Sequence, residues 1–321
     1  MSSEEESLKK MRILFTIITV YLLHDAESTT VLDSKTTGSR WVSFWYSPSE
    51  KDLNQTLDVL RRNSDAVTSV MLYCGQAVNG EGMFVSETSE FCENDGVLLS
   101  TLRELDIGVE FVVNDGSTNV TAHKIWMQNE SSVNALVSIA KEYKLTGWNL
   151  DLEPQSVPGT AEDAKMYASF LNRTRASLNE IGTRLTIDVA QWSPMLSQYD
   201  VLAPSVDRLM NMETYNCDSF EGWIKGDSYG GYYEAFVNNN IPRHVNGVGT
   251  GCWPTATCGT NHSCWTTTNS SVSPRIERMI QDNVPEIAMF RLYGDQSENT
   301  PPDERWPQDW WWGPLRDYLQ K

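Results

Sequence analysis

From residue 41 onward the chain repeats one theme: a short apolar run rich in Val, Ile and aromatics, a polar connection, then a segment with helical spacing. Eight such runs follow one another: "WVSFWYS" (41–47), "VTSVMLY" (67–73), "IGVEFVV" (107–113), "TGWNLDLE" (146–153), "LTIDVAQ" (185–191), "VDRLMNM" (206–212), "HVNGVGTG" (244–251) and "EIAMFRLY" (286–293). Between them, "SSVNALVSIAKEYK" (131–144) places Val133, Leu136, Val137, Ile139 and Ala140 on one helical face. In "AEDAKMYASFLNRTRASLNEI" (161–181), Met166, Phe170, Leu171 and Leu178 do the same. Strand alternating with helix implies a parallel sheet. An open doubly wound sheet would use fewer units and a phosphate-binding glycine loop, yet no G-x-G-x-x-G follows the first strand. The expected fold is therefore α/β: a closed (β/α)8 TIM barrel, one domain over residues 41–321.

What precedes that domain reads as an address. Lys9, Lys10 and Arg12 lead into the apolar run "ILFTIITVYLL" (13–23), too short to span a bilayer comfortably, with a cleavage site near Ala26. Residues 1–28 are expected to be a secretory signal, with Met11 as an alternative start, and residues 29–40 a short linker; a signal-anchor is the competing reading. Six Asn-x-Ser/Thr sequons, at Asn54, Asn119, Asn129, Asn172, Asn261 and Asn269, point to the same secreted, lysosomal or other lumenal location. So do six cysteines, Cys74, Cys92, Cys217, Cys252, Cys258 and Cys264. A zinc site is the alternative for these, but paired Cys-x-x-Cys spacing is missing and there are four histidines in all, so disulfides are expected and no metal. Proximity in sequence suggests Cys74 with Cys92 and Cys258 with Cys264, leaving Cys217 for Cys252. The Thr/Ser/Cys-rich stretch 251–274 then becomes a disulfide-pinned rim loop. A formal charge of −18 would repel nucleic acid and anionic membranes, so neither is an expected partner, and a monomer without cofactor is expected. Trp306, Trp310, Trp311 and Trp312 near the end are read as sealing the last helix against the barrel.

One strand breaks the apolar rule. In "LTGWNLDLEP" (145–154), Asn149, Asp151 and Glu153 alternate with Trp148, Leu150 and Leu152, so all three polar groups share one face. In a barrel of this kind the C-terminal strand ends carry the site, which puts Glu153 at the mouth and Asp151 one layer deeper. Two acids about 6 to 7 Å apart along a strand raise at least one pKa, as a general acid requires. Asp188 in "TIDVAQW" either lines the barrel or satisfies a core hydrogen bond. Trp192 beyond that strand, and Tyr46 at the end of the first, stand at rim positions where an aromatic can stack on a sugar. No Gly-x-Ser-x-Gly elbow is present, which argues against a serine hydrolase.

The stretch "GWNLDLEP" resembles the fourth-strand signature of the family 18 glycoside hydrolases, the chitinases and their relatives, written DxxDxDxE. Thr146 stands at the first Asp, Asn149 at the second, Asp151 at the third and Glu153 at the Glu. "LTIDVAQWSP" (185–194) and "VDRLMNMETYN" (206–216) are similar to the di-N-acetylchitobiase branch, the second where the family carries Met-x-Tyr-Asp. The resemblance implies a substrate-assisted retaining hydrolase of β-1,4-linked N-acetylglucosamine, in a chitooligosaccharide or the chitobiose core of N-glycans. Glu153 would be the general acid. Asp151 would orient the acetamido group and stabilise the oxazolinium, Tyr215 would bond the acetamido oxygen, and Asn149 would be a neutral partner for Asp151.

The chain departs from the pattern at Thr146, at Glu213 and Asn216 within "ETYN", and on the last strand, where the usual Trp floor is replaced by Phe290 or Arg291. Phe290 could stack on a pyranose; Arg291 would favour an acidic or phosphorylated sugar. Glu213 opens a second mechanism, since an inward Glu213 about 5 Å from Glu153 would serve as a protein nucleophile on sugars without an N-acetyl group. A catalytically silent carbohydrate-binding barrel is the third reading.

Overall fold

The computed structural model describes residues 40–49, 52–116, 118–212, 220, 224, 241, 246–251, 269–290, 292 and 309–321; at 246, 249–251, 269–272, 290, 309 and 310 it describes the backbone alone. Strand β1 is Trp41–Tyr46, β2 Ser69–Val78, β3 Phe84–Ser86, β4 Gly108–Asp115, β5 Gly147–Asp151, β6 Arg184–Val189, β7 Arg208–Asn211, β8 Asn246–Gly251 and β9 Glu286–Phe290. All but β3 are parallel, and β1 pairs with both β2 and β9, so eight strands close into the expected (β/α)8 barrel. β3 is an added antiparallel edge on the far end of β2.

The helices between strands are α1 (Leu53–Asn63), α2 (Val97–Glu104), α3 (Val120–Gln128), α4 (Ser131–Tyr143), α5 (Ala161–Asn179), α6 (Asn269–Gln281) and α7 (Asp309–Gln320), with short turns such as Tyr199–Leu202. Local chemistry sets their limits. Helix α5 starts on a capping box, Thr160 accepting from the Asp163 amide while the Asp163 carboxylate accepts from the Thr160 amide at 2.9 Å. α4 starts after Asn129, whose side chain accepts from the Ser131 amide, and stops at Lys144, which turns into the left-handed region at φ 50°.

Alternation along each strand divides the interior into two cores. Outward residues such as Phe44, Phe111, Trp148 and Ile187 join the helices in one continuous apolar layer. Within it Trp126 lies between Phe84 and Phe170, and Trp311 and Trp312 are buried, Trp312 against Phe44 at 5.6 Å. Inside the barrel, Trp45, Met71, Val112, Met210 and Ala288 form a second, smaller cluster.

Beneath that cluster lies an ionic floor. Arg184 reaches Glu110 at 2.6 Å and Glu286 at 2.7 Å, Arg208 stands 3.5 Å from Glu286, and the Arg184 guanidinium covers the Trp41 ring at 3.8 Å. Burial pushes Glu110 up. At Glu286 burial acts the same way but is outweighed by Arg184 and Arg208, so this carboxyl lies below its ordinary value. Gly147 makes room for the arrangement, because a Cβ there would run into the Glu110 carboxylate. The disulfide expected between Cys74 and Cys92 is present. Cys217, Cys252, Cys258 and Cys264, the signal segment and residues 29–39 of the linker, Asn261, Trp306, and the side chains of Asn269 and Trp310 lie outside the described residues.

Candidate active site

Strand β5 carries the site because its two faces meet different surroundings. Trp148 faces out, donating its indole N–H to the Leu136 carbonyl at 3.1 Å, and Leu150 and Leu152 are buried in the outer layer. Asn149 and Asp151 therefore face the barrel axis, above the inner apolar cluster, and Glu153 follows two residues beyond at the mouth. Thr146, at the foot of the strand, bonds the Val109 carbonyl at 3.0 Å, so the position of the first signature Asp is filled by a satisfied hydroxyl.

Four strand ends converge on Asp151. Asn149 donates through Nδ2 to Thr186 Oγ1 at 3.0 Å and to Asp188 Oδ1 at 2.9 Å, linking β5 to β6. Tyr73, inward from β2, donates to Asp151 Oδ2 at 3.0 Å. Glu153, two residues on, and Asp188, which follows the Leu150–Ile187 register pair on β6, lie close enough to Asp151 to oppose its charge. Asn114, the register partner of Asp151 on β4, is exposed into the mouth. Gln155 donates to Glu153 Oε2 at 3.1 Å.

The charges are crowded. No Lys or Arg among the described residues makes an ion pair with Asp151, Asp188 or Glu153. Burial first, then the neighbouring Asp188 and Glu153, hold Asp151 well above the usual carboxylate range. Burial likewise pushes Asp188 up to about 8, against the opposing hydrogen bond from Asn149. Tyr167, reaching in from α5, has its hydroxyl buried without a partner among the described residues, and burial together with the nearby acids opposes its ionisation.

Two rim loops hold Glu153 in place. Asp115 accepts from the Thr118 amide at 2.6 Å and bonds buried His123 at 2.9 Å, fixing the turn after β4. That turn grips the loop after β5: Ser156 Oγ donates to the Thr118 carbonyl at 2.8 Å, and the Val120 amide to Val157 O at 3.1 Å.

Of the residues singled out in the sequence, the fold thus brings together Asn149, Asp151, Glu153 and Asp188. Trp192 lies beyond β6 and is 36% exposed. Tyr46 does not reach the site. It shares the outward parity of Phe44, is fully buried, and donates its hydroxyl to Asp52 at 2.9 Å at the start of α1; the inward aromatic of β1 is Trp45. Glu213, Tyr215 and Arg291, and the side chain of Phe290, lie outside the described residues, although the Phe290 backbone ends β9 at the mouth end of the barrel. Of the described sequons, Asn54, Asn129 and Asn172 are exposed, and Asn119 caps α3 through its side chain. Tyr73, Asn114, Gln155 and Tyr167 are additions that the sequence reading lacked; Tyr73 could have been found by carrying the parity of Met71 two residues on.

No family model and no curated protein matches the chain in sequence. Solved structures do match in fold. A chitinase from Chromobacterium violaceum superposes with a TM-score of 0.62 at 14% identity, covering 88% of this chain and 100% of its own. A spore cortex-lytic enzyme from Bacillus cereus gives 0.60 at 13%, covering 88% and 74%. The Group IV chitinase of Ostrinia furnacalis in complex with allosamidin gives 0.60 at 11%, covering 88% and 98%. At these identities the likeness is one of architecture: the chain shares the (β/α)8 barrel fold of these enzymes.

Proposed function

We propose that the chain is a chitinase-like glycoside hydrolase of the family 18 type, cleaving β-1,4-linked N-acetylglucosamine in short chitooligosaccharides or the N-glycan chitobiose core. The observation that carries the reading is the placement of Asp151, buried at the C-terminal end of the barrel beside Asp188 and Glu153 and accepting from Tyr73. That is where barrels of this class carry catalytic groups. Glu153, only half-buried and held by Gln155, is the group able to protonate a glycosidic oxygen. The acetamido carbonyl of the sugar attacks the anomeric carbon as that bond breaks. Asp151 receives the amide N–H and balances the positive oxazolinium, while Tyr215 bonds the acetamido oxygen. Water then opens the oxazolinium, with Glu153 taking its proton. The sequons and the apolar N-terminal run support a secreted or lysosomal setting, where such glycans are found.

Secreted protein is assayed on umbelliferyl chitobioside and on the corresponding β-glucoside, wild type beside Glu153→Gln. Chitobioside turnover is expected, falling at least about 100-fold in the variant, with the glucoside untouched. Glucoside turnover would overturn acetamido participation and bring Glu213 forward as a nucleophile. Silence on both would leave a carbohydrate-binding barrel.

A further inference from the structure

Asp151 has one oxygen accounted for and one not. Tyr73 donates to Oδ2, while Oδ1 is buried and meets no donor among the described residues. An ionised Asp151 would leave that oxygen bare beside two further carboxyl groups, which a water-poor pocket does not tolerate. A proton on Oδ1 turns the same atom into a donor, and Asp188, which follows the Leu150–Ile187 register pair on the neighbouring strand, offers an acceptor. The hydrogen bond that Asp188 Oδ1 accepts from Asn149 Nδ2 favours its charged form, against the burial that opposes it. Asn149 cannot play that part. As an amide it has no proton to exchange at neutral pH, and its Nδ2 is committed to Thr186 and Asp188.

The signature carries an acid at the Asn149 position, and this chain does not. The acid is instead one strand over, at the same end of the barrel, joined back to β5 through the amide that took its place. We propose that Asp188 is the proton-sharing partner of Asp151, a positioning residue on β6 that takes the role of the missing second acid of β5. The inference rests on the hydrolase reading above. In the resting protein Asp151 carries the proton and Asp188 the charge. When positive charge develops on the sugar amide, the O–H of Asp151 breaks and the proton passes to Asp188. Asp151 then faces the cation as a carboxylate, the pair keeps one proton and one negative charge throughout, and the proton from Glu153 goes separately to the leaving oxygen. Among the described residues the groups facing Asp188 are Asp151 and Glu153 from the β5 end, Asn149 and Thr186 in the layer below, and Tyr167 from α5, with Tyr73 acting through Asp151.

The test moves the carboxyl. Umbelliferyl chitobioside is assayed across the acid and neutral range with wild type, Asp188→Asn and the exchange variant Asn149→Asp/Asp188→Asn, each checked for a cooperative melt. We expect Asp188→Asn to lose about 100-fold in kcat with KM within about threefold, and to show a displaced kcat–pH profile; the exchange variant should recover at least about tenfold. A kcat for Asp188→Asn within threefold of wild type, a superposable pH profile, or a folded exchange variant no better than Asp188→Asn overturns the proposal. A measurement that does not depend on turnover or on a position 188 variant uses Glu153→Gln protein, in which the general acid contributes no carboxyl. Its infrared spectrum near neutral pH should retain the carbonyl band of one protonated carboxylic acid, and absence of that band overturns proton sharing. If wild type hydrolyses neither sugar, the hydrolase reading fails while the infrared result still decides whether the pair shares a proton.

Discussion

Under the proposed function, Tyr73 tunes Asp151 without touching the scissile bond. Its hydroxyl favours the ionised form of Asp151, opposing burial and the two neighbouring acids. Tyr73→Phe should therefore make Asp151 harder to ionise and lower kcat on chitobioside about tenfold, roughly the worth of one hydrogen bond to a charged group. Steady-state kinetics beside a thermal melt separate this from misfolding. The β5 residues were legible because their alternation is local: three polar groups at a spacing of two in an apolar strand have only one face to occupy. Tyr46 was misread for a related reason. Which parity of β1 faces the axis is decided by packing against α7 and by the Asp52 partner, and neither is visible in six consecutive buried residues. Asp188 was visible as a polar break in a strand, but its link to Asn149 crosses 39 residues and depends on register.

At the scale of elements, the eight apolar runs became eight strands because each is short, β-branched or aromatic, and bounded by polar connections. The second run went further than its apolar pattern. β2 shifts register between Leu72 and Gln76, passes Gly75 at φ 92°, and continues to Val78, where β3 pairs with it. A bulge breaks the alternation by which a strand is read, which is why this extension was missed. The Cys74–Cys92 bond ties the bulge to the segment before α2, closing a span of 18 residues immediately beside Tyr73. Removing it with Cys74→Ser/Cys92→Ser should cost about 3 kcal/mol and lower Tm by about 6 °C, measured by calorimetry.

For the molecule as a whole, the buried acids of the mouth link folding to pH. Burial pushes the paired Asp151 and Asp188 above the ordinary carboxylate value of 3.8, Asp188 to about 8, so between those values the folded pair holds a proton that the unfolded chain has released. The stability contributed by that shared proton is complete below the unfolded pKa and is lost as pH rises through about 8. Tm should fall between about pH 5 and about pH 8.5, and Asp188→Asn should flatten that slope, which differential scanning fluorimetry resolves. The barrel class was readable from the order of runs. The floor was not, because Glu110, Arg184 and Glu286 each look like an isolated charge at the start of a different strand, and only closure brings them together.

That floor has a consequence for what the lumen can recognise. Arg184 and Arg208 are matched there by Glu110 and Glu286, so the cations have no excess charge to lend the mouth. The barrel thus presents an electrically balanced bottom and an acid-rich top, and a neutral sugar entering it meets little net force. Under the proposed function, a sugar on its way to a cation would meet a field that grows with its own charge. Selectivity of this kind is directed at a state the ligand reaches only in passing, and it leaves the resting ligand free to depart.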